Sequence, residues 1–370
     1  MKKNKDVKSL YIHIPFCQHI CDYCDFPKLQ YFRSFAEKYL KSLKRELNSY
    51  NIKHQLKTIY VGGGTPTALD DDLFEELLQI IQPYTRGIIE YTFEANPESL
   101  SIRKLELLKQ YGVNRLSIGV ESTNDKILKA INRHHAFQDV KTAISAARKM
   151  GFDNLNVDLI IGLPHVNKSL LKEDLDNILS LGVDHISCYS LTVHPNTVFY
   201  IKGINEPTDE MARDLYDLVE STLKEAGYIH YEVSNWAKPG KESIHNFTYW
   251  KDEPYYGIGL GASGYINDVR YTNTRNLEKY LSGQYVEEKE TVSLEDDKTY
   301  FIMLNLRTNQ GIDLKEYRNR FSEDLLVTHK EAIENFIKEG LLFINKENEQ
   351  LIATYNGMMI LDQIILELVK

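Results

Sequence analysis

The chain has 370 residues, 42% of them hydrophobic and 26% charged, which is the composition of a folded globular protein and not of a disordered one. Its 44 basic and 53 acidic side chains leave a formal charge of −9, and no Lys/Arg block is long enough to track a phosphate backbone, so no nucleic-acid partner is expected. No run approaches the roughly 18 to 20 apolar residues that cross a bilayer, and the N-terminal MKKNKDVKSLYIHIPF lacks the continuous apolar stretch of a secretion signal. The expected location is therefore cytoplasmic, with membrane contact at most peripheral.

The length exceeds the usual single-core size, so a large domain with a small one appended is expected. From residue 9 to about 226, short β-rich runs alternate with segments of helical period. Strands are predicted at 10–16, 58–62, 91–95, 115–120, 155–161 and 185–191, and helices at 71–82, 102–111, 137–150, 170–181 and 209–226. Gly112, Gly151, Gly182 and Gly227 each follow one of these helices, where a left-handed cap releases the chain into the next strand. Six such units predict an α/β fold, a partial (β/α)6 TIM-like barrel over 1–226, with its chemistry in the loops at the strand C-terminal ends. Residues 227–290 are aromatic and glycine-rich and read as a linking subregion. Helical segments at 298–307, 314–321 and 330–339, a hairpin at 341–353 and a last helix, within MMILDQIILELV, then predict a small α+β winged-helix-like domain over 291–370. No long Pro/Gly/Ser linker separates the parts, so they are expected to pack together.

The chain has only four cysteines, and three of them form Cys17-Gln18-His19-Ile20-Cys21-Asp22-Tyr23-Cys24, directly after the first strand. Thiols clustered in this way suggest metal, since a disulfide framework would need more of them spread along a secreted chain. Three thiolates from one loop suit an iron–sulfur cubane with one iron free of protein ligands. Structural zinc would want a fourth ligand, for which His13 or His19 would have to serve, and no second CxxC pair exists. Cys188 lies inside a strand-like run and reads as core.

With YIHIPFCxxxCxYCDF, GGGTPT at 62–67, EANPESL at 94–100, GVNRLSIGVES at 112–122 and NVDLIIGLP at 156–164, the sequence resembles the radical S-adenosylmethionine superfamily, within its coproporphyrinogen dehydrogenase and heme chaperone HemW branch. The resemblance implies that Cys17, Cys21 and Cys24 hold a [4Fe-4S] cluster whose open iron chelates S-adenosylmethionine. It also places Tyr11, Tyr23, Gly63, Gly64, Thr65, Glu94, Arg133 and Asp158 at cofactor-contacting positions. Glycines at 62–64 let backbone amides approach a bound group, and Glu94 ends its strand where a carboxylate can accept hydrogen bonds from a ribose or an ammonium. Asp158 sits in an apolar run and needs a partner, and Arg133 is expected either to be that partner or to contact a ligand directly. Glu121 departs from the family's glutamine, and is expected either to weaken contact with an anionic group or to pair with Arg133.

Two features favour the chaperone side of the branch. The dehydrogenases resemble CxxxCxxCxC, whereas Phe26 stands at the last of those positions here. His245-Asn246-Phe247-Thr248-Tyr249-Trp250 matches the HNxxYW motif of HemW, and a histidine is a common axial ligand of heme iron, so His245 is the candidate heme ligand with the aromatics covering a porphyrin face, the alternative being a histidine hydrogen-bonded in an aromatic core. The function implied is heme binding and delivery to acceptor hemoproteins, at the membrane surface or elsewhere. The alternative is oxygen-independent oxidative decarboxylation of coproporphyrinogen III. The glycine-rich 255–265 segment lacks the helix and acidic residue of a dinucleotide fingerprint and reads as close backbone packing beside the cofactor.

Overall fold

Alternation along the strands gives the central sheet two unlike faces. In the computed structural model, which describes residues 6–52 and 56–370, β1 (Ser9–Ile14) buries Leu10, Ile12 and Ile14 against the helical layer. Ser9, Tyr11 and His13 point the other way. The same pattern holds in β2 (Thr58–Gly63), β3 (Glu90–Ala95), β4 (Arg115–Glu121), β5 (Leu155–Ile161) and β6 (His185–Ser190). Their aliphatic and aromatic residues face the helices, each stabilising the layer by about 1.5–3 kcal/mol. Their polar residues face a shared lumen. Cys188 lies on the apolar face, buried, as its sequence context predicts.

The covering helices are α1 (Arg33–Ser49), α2 (Asp71–Ile81), α3 (Ile102–Gln110), α4 (Phe137–Lys149), α5 (Lys168–Ser180) and α6 (Asp209–Glu225). Five were predicted. The first was not, although Ala36, Tyr39, Leu40, Leu43 and Leu47 carry a helical period and are buried. Ser101 and Thr208 accept the backbone N–H of Lys104 and Met211 and so cap α3 and α6.

Residues 227–290 do more than link. β7 (Ile229–Glu232) and β8 (Asn235–Ala237) add antiparallel strands beyond β6, and β9 (Tyr255–Ile258) pairs parallel with β1 on the opposite edge. β10 (Ser263–Ile266), β11 (Val269–Asn273) and β12 (Val286–Thr291) follow β9 antiparallel. The result is one twelve-stranded sheet, ordered β12-β11-β10-β9-β1-β2-β3-β4-β5-β6-β8-β7. The glycines of 255–265 are set by this contact. A Cβ on Gly257 would lie 1.7 Å from the Ser263 carbonyl oxygen, and one on Gly259 would lie 2.4 Å from that of His13.

α7 (Ile244–Trp250) lies across the N-terminal ends of β1–β3 and closes that end of the barrel. The Glu90 carboxylate accepts the backbone N–H of Ile244 at 2.9 Å and of His245 at 2.8 Å, capping this helix from inside the sheet. A second core, with Phe301, Leu306, Tyr317, Leu351 and Ile364, belongs to the C-terminal helices and a three-stranded sheet of β13 (Ile312–Asp313), β14 (Leu342–Asn345) and β15 (Gln350–Ala353). Between the two cores, Asp252 receives Arg270 at 2.5 Å and Arg320 at 2.6 Å, and Arg320 also holds Asp297. Among the described residues, no helix is long and apolar enough to cross a membrane.

Candidate functional site at the barrel mouth

β1 delivers the chain to the open end of the barrel, and the cysteine loop begins there. The loop is closed by backbone bonds from Leu29 N–H to Pro15 O (2.6 Å) and from Tyr31 N–H to Cys17 O (2.8 Å). Its outer part is pinned by Asp22 N–H on the Ile131 carbonyl (3.2 Å) and by Lys202 on the Asp22 carboxylate (2.7 Å). All three loop cysteines are free, Cys17 buried and Cys21 and Cys24 partly so. Burial pushes the Cys17 thiol up to about 12 and the Cys24 thiol up to about 11. Such thiols stay protonated in the bare loop, and a metal cluster supplies the positive charge that makes them thiolates. The donor set fits an iron–sulfur cluster.

The zinc alternative loses its candidate fourth ligands. His13 donates from Nε2 to the Pro27 carbonyl (2.7 Å) and accepts the Tyr11 hydroxyl at Nδ1 (2.9 Å). His19 stacks on His134 with centroids 3.6 Å apart. Among the described residues, no group of three His, Cys, Asp or Glu converges on a position for a single metal ion.

Each glycine of 62–64 backs onto a different neighbour. A Cβ on Gly62 would meet the Glu94 carboxylate at 2.6 Å, one on Gly63 the His13 ring at 2.6 Å, and one on Gly64 the Cys17 sulfur at 2.9 Å. Gly63 also has φ +119, a conformation that side chains rarely adopt. This cradle brings backbone amides against the cysteine loop, with Gly64 N–H on Ile14 O (2.9 Å) and Thr65 N–H on Phe16 O (2.8 Å). The Thr65 hydroxyl lies 3.7 Å from the Cys17 sulfur.

Glu94 accepts the Tyr60 hydroxyl (2.7 Å) and the Gly63 N–H (2.9 Å). Burial nevertheless raises its carboxyl to about 7, only partly offset by those bonds. Arg133 donates to Asn96 Oδ1 (3.2 Å), to the Gly119 carbonyl and to the Cys21 sulfur (3.7 Å), and sits 3.6 Å from Glu121. Burial likewise raises Glu121 to about 7 against the opposing pull of Arg133. Tyr23 lies beside this pair, with Phe199 at a centroid distance of 6.3 Å.

One expectation is corrected, and another is set in its surroundings. Asp158 is partnered by Asn156 Nδ2 (2.8 Å) and Ser117 Oγ (3.1 Å), not by Arg133. The register is the reason. A bulge between Gly119 and Glu121 turns Glu121, at φ +66, toward Arg133, while Asp158 pairs with Gly119 and points into the lumen. His245 is 0% exposed and sits at the closed end, opposite the cysteines. Its Nδ1 meets Thr58 Oγ1 and its Nε2 the Tyr249 hydroxyl, both at 2.8 Å, and burial lowers its pKa to about 3. Both nitrogens are thus engaged by hydroxyl groups of the barrel floor.

The lumen contains residues that motif reading passed over. Tyr60 joins Tyr11 to Glu94, Asn96 positions Arg133, and Tyr189 ends β6 at 45% exposure although it belongs to the inward face. Arg115 also points inward. The polar residue at every second strand position was the available signal.

Compared with known proteins, residues 11–178 match the radical SAM superfamily and residues 292–360 the HemN C-terminal domain. The chain is 37% identical to the heme chaperone HemW of Bacillus subtilis, covering 96% of this chain and 97% of that protein. It is 34% identical to the heme chaperone HemW of Escherichia coli, covering 84% of this chain and 85% of that one. The solved structure of Escherichia coli coproporphyrinogen III oxidase (HemN), a radical SAM enzyme, superposes with a TM-score of 0.86 at 22% identity, over 98% of this chain and 90% of that chain. That likeness establishes the barrel and its appended domain as a shared fold. With relatives above 30% identity along nearly its entire length, the chain belongs to the HemW family of radical SAM proteins.

Proposed function

We propose that this protein binds heme and hands it to acceptor hemoproteins, and that it does so as a holoprotein carrying a [4Fe-4S] cluster and S-adenosylmethionine. The observation that carries the reading is the free three-thiol loop at the barrel mouth, followed by Phe26 at 62% exposure, on a chain whose HemW relatives align from end to end. Cys17, Cys21 and Cys24 would hold three irons. When bound, cluster and adenosylmethionine together supply one-electron chemistry at the mouth.

The remaining roles fall to this chain's own side chains. The bare backbone of Gly63 and Gly64, whose amides are held by Glu94 and Ile14, and the hydroxyl of Thr65 would let the cofactor's amino acid end approach Cys17, since the cradle has no room for a Cβ. Glu94, with a pKa near neutrality, would accept hydrogen bonds from a ribose or ammonium and become fully ionised on meeting a cation. Arg133 holds Cys21 and Glu121 together, so Glu121 serves as its counter-charge in place of the amide donor that the family's glutamine offers. Tyr11, Tyr23 and Asp158 would line the same volume. His245, buried at the closed end, would ligate heme only by exchanging its bonds to Thr58 and Tyr249.

The likeness to HemN keeps oxidative decarboxylation of coproporphyrinogen as the second reading. One sample decides. Protein reconstituted anaerobically with iron and sulfide should take up S-adenosylmethionine, give a stoichiometric Soret band on titration with hemin, and restore a heme-free hemoprotein. It should leave coproporphyrinogen unconverted in the presence of reductant. Turnover to protoporphyrinogen without heme uptake would exchange the two readings.

A further inference from the structure

The barrel lumen holds one guanidinium that differs from the chain's other enclosed arginines. Buried Arg133 and part-buried Arg320 are each paired with a carboxylate. Arg115 is 2% exposed, its Nε meets no hydrogen-bond acceptor, and among the described residues no carboxylate lies within ion-pairing distance of it. It stands on the lumen face of β4. Register sets Arg115 beside Thr92 and Ser117 beside Glu94, so Arg115 lies one inward position beneath the mouth carboxylate. Its charge acts on Tyr60, Glu94 and Asp158 above and on His245 of the closing helix below. An unpaired guanidinium in such a place is costly unless an anion completes it. A planar fork of donors is suited to a carboxylate.

We propose that Arg115 is the anchor for a ligand carboxylate that enters the lumen from the cysteine-bearing mouth. The identity of that carboxylate rests on the heme reading above: it is a propionate of the tetrapyrrole, since the amino acid end of adenosylmethionine is placed at the mouth beside Cys17. Glu94 above it is raised by burial to about 7, so in the ligand-free lumen it is only partly ionised near neutrality, which reduces the repulsion that an incoming anion would meet. Tyr60 and Tyr189 offer flat surfaces beside the path.

The test uses the reconstituted protein and two ligand pairs that differ in a carboxylate. One pair is hemin and its propionate dimethyl ester, and the other is S-adenosylmethionine and its decarboxylated form. Wild-type protein should bind the acid member of the hemin pair roughly tenfold or more tightly, and Arg115→Met should abolish that preference by weakening the acid member alone. Arg115→Lys, which keeps the charge and loses the fork, should fall between. Loss confined to the hemin pair assigns the propionate; loss in the adenosylmethionine pair, whose carboxylate belongs at the mouth, overturns that assignment. If wild-type protein takes up no heme, the chaperone reading fails separately and the same comparison on coproporphyrin III and its tetramethyl ester judges Arg115. No acid preference in wild type, or equal weakening of both members of each pair, makes Arg115 a structural counter-charge and overturns the proposal. The wild-type comparison stands even if Arg115→Met does not fold.

Discussion

At the scale of single residues, the mouth is governed by what cannot be added to it. A methyl group at Gly64 would sit 2.8 Å from the Pro15 carbonyl and 2.9 Å from the Cys17 sulfur, and backbone on one side leaves it nowhere to go. Gly64→Ala should therefore lower the iron and sulfide retained after anaerobic reconstitution. Gly112→Ala, at φ +84 with nothing within 4 Å of its Cβ, should cost about 1 kcal/mol of stability and leave iron content intact. Equal iron content in the two variants would remove the cradle from the account of the site. Glu94 gives a pH test with a definite sign. Its folded pKa, about 7, lies above the ordinary 4.5, so its contribution is favourable below about 4.5 and is lost as pH rises through 7. Glu94→Gln in ligand-free protein should match wild type in denaturant unfolding near pH 5 and exceed it near pH 8. The gap should be on the order of 2 kcal/mol, reduced by whatever water enters the lumen. A constant difference across that range would mean the carboxyl titrates normally.

At the scale of elements, the short helix α7 shows how a motif can be marked by its residues while its surroundings stay hidden. The aromatic HNFTYW run does mark a special place, but its histidine closes the barrel floor through Thr58 and Tyr249. His245→Ala should lower the melting temperature, by an amount equivalent to about 1–3 kcal/mol, because two buried hydroxyls lose their partner. The Soret maximum of bound heme should not move. A shifted Soret band with an unchanged melt would return the imidazole to the iron. Most of the barrel was legible because alternation and terminal glycines are local signals, and the six predicted strands match β1–β6 to within a residue or two at their ends. β9 was not legible. Its YYGI sequence looks like loop, and Gly257 and Gly259 are required only by the backbones of Ser263 and His13, which approach after folding. The partner of Asp158 was hidden for a similar reason, since a bulge at Gly119/Glu121 sets which side chains meet. Cys17, Cys21 and Cys24 were legible as a group without tertiary information, because their spacing puts three free thiols in one loop.

For the molecule as a unit, the question is what makes two hydrophobic cores behave as one protein. Buried charge supplies much of the joint. Arg320 of the C-terminal domain reaches Asp252, which immediately follows the barrel-closing helix, and Asp297 in its own domain; Arg270 of β11 holds the other oxygen of Asp252. Both carboxylates are fully buried. Backbone bonds from Val233 N–H to Arg307 O (3.1 Å) and from Asn309 N–H to Tyr231 O (2.9 Å) extend the seam beside β7. Removing the shared cation is far worse than removing an exposed pair, because two buried carboxylates then lose their main partner, at about 3–5 kcal/mol. Arg320→Met should therefore split a single calorimetric transition into two, with the C-terminal core melting first, and should make the segment around 291 sensitive to limited proteolysis. Since Asp252 also anchors the end of α7, the same variant should loosen the barrel floor, seen as faster amide exchange at Ile244 and His245. A single transition with unchanged exchange would show that apolar contact, not this charge cluster, holds the two cores together.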